Sequence, residues 1–502
     1  MLSKRRNLTR KLTGQSQFDS FARLGIGALA TNSLYLVWLS FHIVGVLGIV
    51  FISIEVLIYL VLIVFTFNHW TRKYQLLGGS YSMRASVDVF IPTVNEPIAM
   101  LTATIAAAVD INYARKTVYI LDDGDREAVK KLAAQYGCTY LTREKTPTSK
   151  YKSANLNNGM RHSNGDFILA LDADNVVSPT ILDDLLGHFK EDKIAIVASR
   201  QVFTVEKRDF NHDHLFYNYM QSGKNKDGAA ISCGSGVIYR RAMLDDIGGF
   251  SEWNIVEDLH TTYIANGRGY HSIYVTQPYV RGHAPRDVRM IYKQRGTWAV
   301  DTLRLFFWQQ PLVNFKLTFR QRLHYFEMGY CYLVSGILLP AVYIINFYTL
   351  FSGNAIQSGG WWYLVARVPA LICTLAFFGR FSQGQLTNQV WFGLFPVYAK
   401  AALLALVYRR KKPVYRVTSK IDTGKREISL VAPQLVFIIT GYVGVIYHLE
   451  HFGLNQMFWL SSFWTIIMTF WLYPIIKMGF SAKGRRPKQA AQPLTITPTN
   501  IS

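Results

Sequence analysis

Long apolar runs bracket a central stretch in which hydrophobic and polar positions alternate on a shorter scale. From Leu24 to Trp70 the chain is almost free of charge, with Glu55 the single acidic residue. That span is about twice the ~20 residues one bilayer-crossing helix requires. It predicts two transmembrane helices, over 25–45 and 48–69; the competing reading is a buried helical hairpin of a soluble protein. After Phe315 the apolar segments return. Gly329–Phe351, Trp361–Phe378, Leu430–His448 and Met457–Met478 are predicted crossings, and Gln389–Tyr408 is a weaker segment. Between Thr71 and Phe315 the pattern is different. VDVFIPT (87–93), TVYILDD (117–123), FILALDAD (167–174) and IAIVASRQ (194–201) are apolar runs ending in polar residues, as buried strands do. Helical patterns lie between them, Arg126–Tyr136 among them, so the stretch predicts βαβ units and a parallel sheet. Ligands bind beyond the carboxyl ends of such strands, which is where the acidic residues fall.

Charge sharpens this picture. The 502 residues carry 54 Lys and Arg against 32 Asp and Glu, a net +22, which alone would suit a nucleic-acid binder. Half the chain is hydrophobic, 14% is aromatic and only 17% is charged, which excludes a disordered basic tail and argues against nucleic acid as a partner. The surplus sits in clusters instead: Lys4, Arg5, Arg6, Arg10 and Lys11, then residues 409–412, then Lys483, Arg485, Arg486 and Lys488. Basic clusters collect on the cytoplasmic side of a membrane. With all three inside, the 71–315 region is cytoplasmic, 389–408 is an interfacial or re-entrant helix, and the crossings number six. The four cysteines form no CxxC pair, which speaks against a disulfide framework or a zinc ribbon. No signal-peptide cleavage site is evident.

Several motifs carry chemistry. Asp172 and Asp174 follow an apolar strand as a D-x-D, two hard carboxylates able to share Mg²⁺ or Mn²⁺; solvated turn acids are the competing reading. Asp122 and Asp123 end another strand before Gly124, suited to a nucleoside or, with Asp125, to capping the next helix. Thr93, Asn95 and Glu96 form a polar turn after the first strand, and Lys152 supplies a cation near the acids. Glu257 and Asp258 precede a helical pattern ending at Gly267 or Gly269. Either acid suits proton abstraction from a hydroxyl, although acids there also serve as dipole partners. A helix N-terminus predicts a lowered carboxylate pKa, hence an ionised but weaker base. Gln294, Arg295 and Trp298 fall on one amphipathic helix, where Trp298 suits either a sugar face or a membrane interface.

The ordered set DVFIPTVNEP, LDDG, YKSANLN, DAD, SCGSGVIYRR, IGGF, VED and QRGTW, over about 87–310, resembles the processive family 2 glycosyltransferases, specifically cellulose-synthase-like membrane proteins; YRVT extends the likeness into the membrane region. The resemblance implies a GT-A-like α/β cytosolic domain inserted in an α-helical transmembrane domain of about six crossings plus interface helices. Its divisions are 1–70 (basic segment and two crossings), 71–287 (glycosyltransferase domain), 288–328 (interface helices with QRGTW), 329–480 (channel region, with a gating loop at 409–428) and a tail at 481–502. It implies Thr93, Glu96 and Asp123 as the uridine pocket. Lys152 and Asp172 are then diphosphate and sugar contacts, and Asp172 with Asp174 the Mg²⁺ or Mn²⁺ ligands. It implies Asp258 as the base, Cys233, Gln294, Arg295 and Trp298 as the acceptor site, and Tyr415, Val417 and Thr418 as the gating loop over bound UDP. The implied activity is inverting polymerisation of glucose from UDP-glucose into a β-glucan, extruded through the plasma membrane; the SCGS form of the acceptor motif favours glucose. Two enzyme alternatives are a chitin- or hyaluronan-type synthase using UDP-N-acetylglucosamine and a non-processive lipid glycosyltransferase. A transporter or scaffold subunit with a dead catalytic domain is a third, which the retained Asp172, Asp174 and Asp258 oppose. Thr297 stands where the family pattern QxxRW has Arg, which removes one expected diphosphate contact; Arg295 or a basic gating-loop residue is the expected substitute. A C-terminal cyclic-di-GMP-binding barrel, common in bacterial cellulose synthases, is not expected after the last helix.

Overall fold

A computed structural model describes residues 15–71, 85–144, 151–206, 209–285, 287–410 and 426–481, with side chains from residue 21 onward. Eight strands form one sheet: β1 (Val87–Thr93), β2 (Lys116–Asp122), β3 (Thr139–Leu141), β4 (Phe167–Ala170), β5 (Val176–Val177), β6 (Ile194–Phe203), β7 (Val237–Arg240) and β8 (His271–Gly282). Their spatial order is β3-β2-β1-β4-β7-β6-β8-β5. Every residue of β1 is buried, as a strand covered on both faces requires. Its alternate side chains serve two cores. Val87, Val89 and Ile91 pack with Leu101 and Ile105 of helix Ile98–Val109 and Val129 and Leu132 of helix Glu127–Gln135. Phe90 faces Leu156 of helix Tyr151–Arg161 and Met243 and Leu244 of helix Arg241–Ile247 on the other side.

The sheet is mixed rather than parallel. β1 pairs in parallel with β2 and β4, and β2 with β3, but β7 runs antiparallel to both β4 and β6. Four-residue β7, two-residue β5 and three-residue β3 are too short to leave a periodic signal. The reversal has a consequence. The carboxyl ends of β1, β2 and β4 share one edge, and antiparallel β7 brings its amino end, with the preceding Cys233–Gly236 loop, to that same edge.

Outside the sheet, five helices among the described residues are long and apolar enough to cross a bilayer: Gly45–His69, Phe319–Ser352, Trp362–Phe381, Ile428–Phe452 and Gln456–Phe480. A sixth crossing is available if Leu386–Gly393 and Phe395–Val407, bent by 49° at their break, form one span. The first predicted crossing, 25–45, is displaced: its helix runs Gln15–Ser40 and ends in a turn before Val44. That helix is not among the five, since Thr31, Asn32 and Ser33 dilute its apolar content. The expected start at Gly329 also moves. A capping box between Thr318 and Gln321 opens the helix ten residues earlier, so the predicted interface segment continues directly into the span. Val46, Ile439 and Val407 point outward, 79%, 59% and 77% exposed, the apolar surface a bilayer covers.

Candidate active site

At the edge shared by β1, β2 and β4, the polar turn after β1 is built around Glu96. Its Oε2 accepts the Thr93 hydroxyl at 2.7 Å and the Val94 amide at 2.9 Å. Asp122, not Asp125, braces the next turn by accepting the amides of Gly124 (2.9 Å) and Arg126 (2.8 Å). Asp123 is thereby left facing the cavity, gripped by both arms of Arg143 at 2.7 Å each. Arg143 is a residue the sequence reading missed; a lone Arg after β3 carries no local signal.

Lys152, at the start of helix Tyr151–Arg161, is the electrostatic centre. Its Nζ meets Asp172 Oδ1 at 2.7 Å, Glu257 Oε1 at 2.9 Å and the Gly234 carbonyl at 2.7 Å. Burial acts to lower its pKa, but the Asp172 and Glu257 carboxylates outweigh this and hold the ammonium well above its ordinary value. Asp172 is further fixed by its own amide, which donates to Ser235 Oγ at 3.0 Å. Asp174, two residues on, is buried, and its carbonyl lies 3.3 Å from His283 Nδ1.

Asp258 opens helix Glu257–Gly267, as expected, but its acidity is the reverse of the dipole argument. Its carboxyl is pushed up to about 7 by burial and by the adjacent Glu257 charge, against the pull of Lys152 and of the Leu259 amide at 2.6 Å. Desolvation near a like charge here exceeds the stabilisation a helix terminus gives. Gly234 makes the approach possible. It sits at φ +76°, and a β-carbon there would lie 3.3 Å from both Asp258 Oδ2 and Lys152 Nζ. Next to it Cys233, also left-handed at φ +59°, takes a hydrogen bond from Gln221 on its sulfur at 3.1 Å; burial raises its thiol pKa, so it stays neutral.

Gln294, Arg295 and Trp298 lie on helix Val288–Arg304 as predicted. Arg295 is 6% exposed, bound to Asp213 at 2.7 Å, and its guanidinium stacks 4.9 Å from the Trp298 ring centre. A diphosphate contact by Arg295 therefore requires that ion pair to open. Thr297 returns its hydroxyl to the Lys293 carbonyl at 2.9 Å. One turn after Trp298, Asp301 accepts the Val256 amide at 2.8 Å, joining the Trp298 helix to the N-terminus of the Asp258 helix. Asp301, three residues past QRGTW, went unread in the sequence. Tyr415, Val417 and Thr418 lie outside the described residues.

These groups share one cavity of about 1160 Å³. Thr93, Glu96, Asp123, Lys152, Asp172, Asp174, Cys233, Asp258, Gln294, Arg295 and Trp298 all line it. The same cavity continues among the membrane-spanning helices, past Tyr332, Trp391, Tyr343 and Trp464 to an ion pair between Glu55 and Arg367 at 3.2 Å. The description "Glycosyl transferase family 2" matches residues 88–248. Residues 88–248 thus match a glycosyl transferase family 2 domain, and the chain is similar to UDP-forming cellulose synthase catalytic subunits. It is 25% identical over 442 residues to the UDP-forming cellulose synthase 1 catalytic subunit of Komagataeibacter xylinus, 82% of this chain and 59% of that protein. It is 29% identical over 396 residues to the UDP-forming cellulose synthase catalytic subunit of Pseudomonas fluorescens (strain SBW25), 74% of this chain and 52% of that one. The chain thus spans about half the length of these curated relatives. A solved mannosyltransferase, PcManGT from Pyrobaculum calidifontis in complex with GDP-Man and Mn²⁺, shares its fold at TM-score 0.54 and 17% identity, over 72% of this chain and 99% of that one. The chain has a GT-A-like domain and helices long and apolar enough to cross a membrane, and the residues lining its cavity lie beyond the strand ends, where open α/β sheets bind ligands.

Proposed function

We propose that the protein is a processive, inverting glucosyltransferase that builds a β-glucan from UDP-glucose and passes it through its membrane helices. The observation that carries this reading is the single cavity, which joins the acid cluster to the interior of the helical bundle. UDP-forming relatives support a uridine donor. Thr93, Glu96 and Asp123 are assigned to the uridine, with Arg143 orienting Asp123. Lys152 and Asp172 are assigned to the diphosphate and sugar. Asp172 and Asp174 are hard oxygen donors at one cavity edge and fit Mg²⁺ or Mn²⁺. When bound, such an ion offsets negative charge developing on the departing UDP.

Asp258 then takes the proton from the acceptor hydroxyl. A carboxyl near 7 is matched to this at neutral pH: about half of it is ionised, and it is basic enough to hold the proton. Trp298, locked by Arg295 and Asp213, offers a flat apolar face to the acceptor ring. Attack from the face opposite the leaving UDP converts an α-linked donor into a β-linked product. The basic clusters support a plasma-membrane protein with this domain on the cytoplasmic side.

The test is product analysis. Purified protein with UDP-glucose and Mg²⁺ or Mn²⁺ is expected to release UDP and make a high-molecular-weight β-glucan. Faster turnover of UDP-N-acetylglucosamine, or a product of one sugar on a lipid, overturns the assignment.

A further inference from the structure

A second polar cluster lies away from the cavity, where the catalytic domain meets the membrane helices. His69 ends helix Gly45–His69, and His324 and Glu327 sit three residues apart on the helix beginning at Phe319. All three are at most 1% exposed, and none lines the cavity that holds Asp172 and Asp174. One ligand atom from each lies within 4.8 Å of the other two. His69 Nε2 is 2.9 and 3.2 Å from the two Glu327 oxygens. Ligand atoms at ~2.1 Å from a tetrahedral ion lie about 3.4 Å apart, close to these spacings.

The surroundings fit an ion better than an ordinary ion pair. His324 Nε2 meets an Asp227 carboxylate oxygen at 2.9 Å, the outer-sphere partner that orients a metal-binding imidazole. Among the described residues its Nδ1 is buried with no hydrogen-bond partner, as is Asn68 Oδ1 beside Glu327. A His69–Glu327 pair alone leaves those buried atoms unsatisfied, a desolvation cost that nothing offsets. Charge also balances: Glu327 directly and Asp227 through His324 offset a dication while both imidazoles stay neutral. Lys224 is the nearby cation to reconcile. Burial pushes its ammonium below the ordinary value, against the pull of Glu327.

We propose that His69, His324 and Glu327 bind one transition-metal dication of the zinc class, fastening the membrane helix that ends at His69 to the helix entering the membrane from Phe319. Asp227 extends the fastening to the glycosyltransferase domain. Gly223 serves it as well, since a β-carbon there would collide with His69 Nδ1. The proposal is independent of the donor sugar.

The full chain, purified in detergent and stripped with EDTA, is incubated with Zn²⁺, freed of excess and analysed for metal by plasma mass spectrometry. X-ray absorption at the zinc edge then reads the ligands. We expect one retained zinc per chain with two imidazoles bound. It should be kept in Asp172→Asn/Asp174→Asn and lost in Glu327→Gln and His324→Gln. Wild-type protein that retains no zinc, or zinc without imidazole ligands, overturns the proposal; that measurement needs no variant to fold.

Discussion

Glu257→Gln tests the proposal that Asp258 is the base. Asp258 stands at about 7 rather than its ordinary 3.8 because it is buried and because Glu257 is a like charge on the neighbouring residue. Gln keeps an oxygen for Lys152 Nζ at the 2.9 Å position but removes the charge. Lys152 also keeps Asp172 and the Gly234 carbonyl, so the site should hold its shape. Removing a like charge at this range lowers a carboxyl pKa by about one unit. With a base near 7, about a tenth is ionised at pH 6 and nine-tenths at pH 8, so kcat/KM at pH 6 should be about 0.1 of that at pH 8. A base near 6 raises this ratio to about 0.5. Initial rates of UDP release between pH 5.5 and 9, at subsaturating donor, measure both profiles. An acid limb that stays in place, or moves to higher pH, refutes the account of Asp258.

Other perturbations separate the remaining roles. Asp258→Asn should abolish turnover while leaving UDP binding by calorimetry within about twofold. Folding raises this carboxyl's pKa, so its protonated form favours the folded state. That contribution is present below about pH 4 and lost as pH climbs through about 7. Asp258→Asn should therefore melt higher than wild type at pH 8 and no higher at pH 4. Gly234→Ala combines a positive φ with contacts at 3.3 Å to Asp258 and Lys152, and should lower kcat by about tenfold or more with near-native melting. Arg143→Gln releases Asp123 from its two-armed grip and should weaken UDP binding by about tenfold, ~1.4 kcal/mol. Glu55→Gln strands Arg367 in the bundle and should destabilise by about 3–5 kcal/mol, whereas Glu55→Gln/Arg367→Gln should recover most of the loss in melting.

The sequence exposes what depends on long or local signals. Runs of seven buried residues such as β1 stand out, and so do acids placed just after them, because strand ends and ligand sites coincide in open α/β sheets. Helix Glu257–Gly267 and the amphipathic Val288–Arg304 are likewise legible from periodicity and charge. What stays hidden is pairing between distant residues. Arg143 on Asp123, Asp213 on Arg295 and Asp301 on Val256 join positions 20, 82 and 45 residues apart, and only the folded chain brings them together. The direction of the Asp258 shift was equally unreadable, since burial depends on what the Cys233–Gly236 loop delivers after the chain reverses into β7. Glu55 is the intermediate case. A lone acid in a 47-residue apolar run is a visible anomaly, and Arg367 is its counterpart in a second apolar run, but nothing in the sequence joins the two.

That pair also bears on how the helices are used. A buried ion pair adds little stability, because the desolvation of both charges consumes the attraction between them. Its presence inside a bundle is better explained by what it faces. Glu55 and Arg367 line the same cavity as Asp172, Asp174 and Asp258, with Arg367 stacked 4.6 Å from the Tyr35 ring and 5.7 Å from that of Trp464. Aromatic faces beside fixed charges suit a chain of sugar rings, whose C–H faces stack while their hydroxyls bond outward. A lipid-facing helix has no use for such a lining, and a non-processive transferase needs no polar cavity reaching this far from its base. The Glu55–Arg367 pair therefore favours a polymer-conducting role for the bundle over an anchoring one.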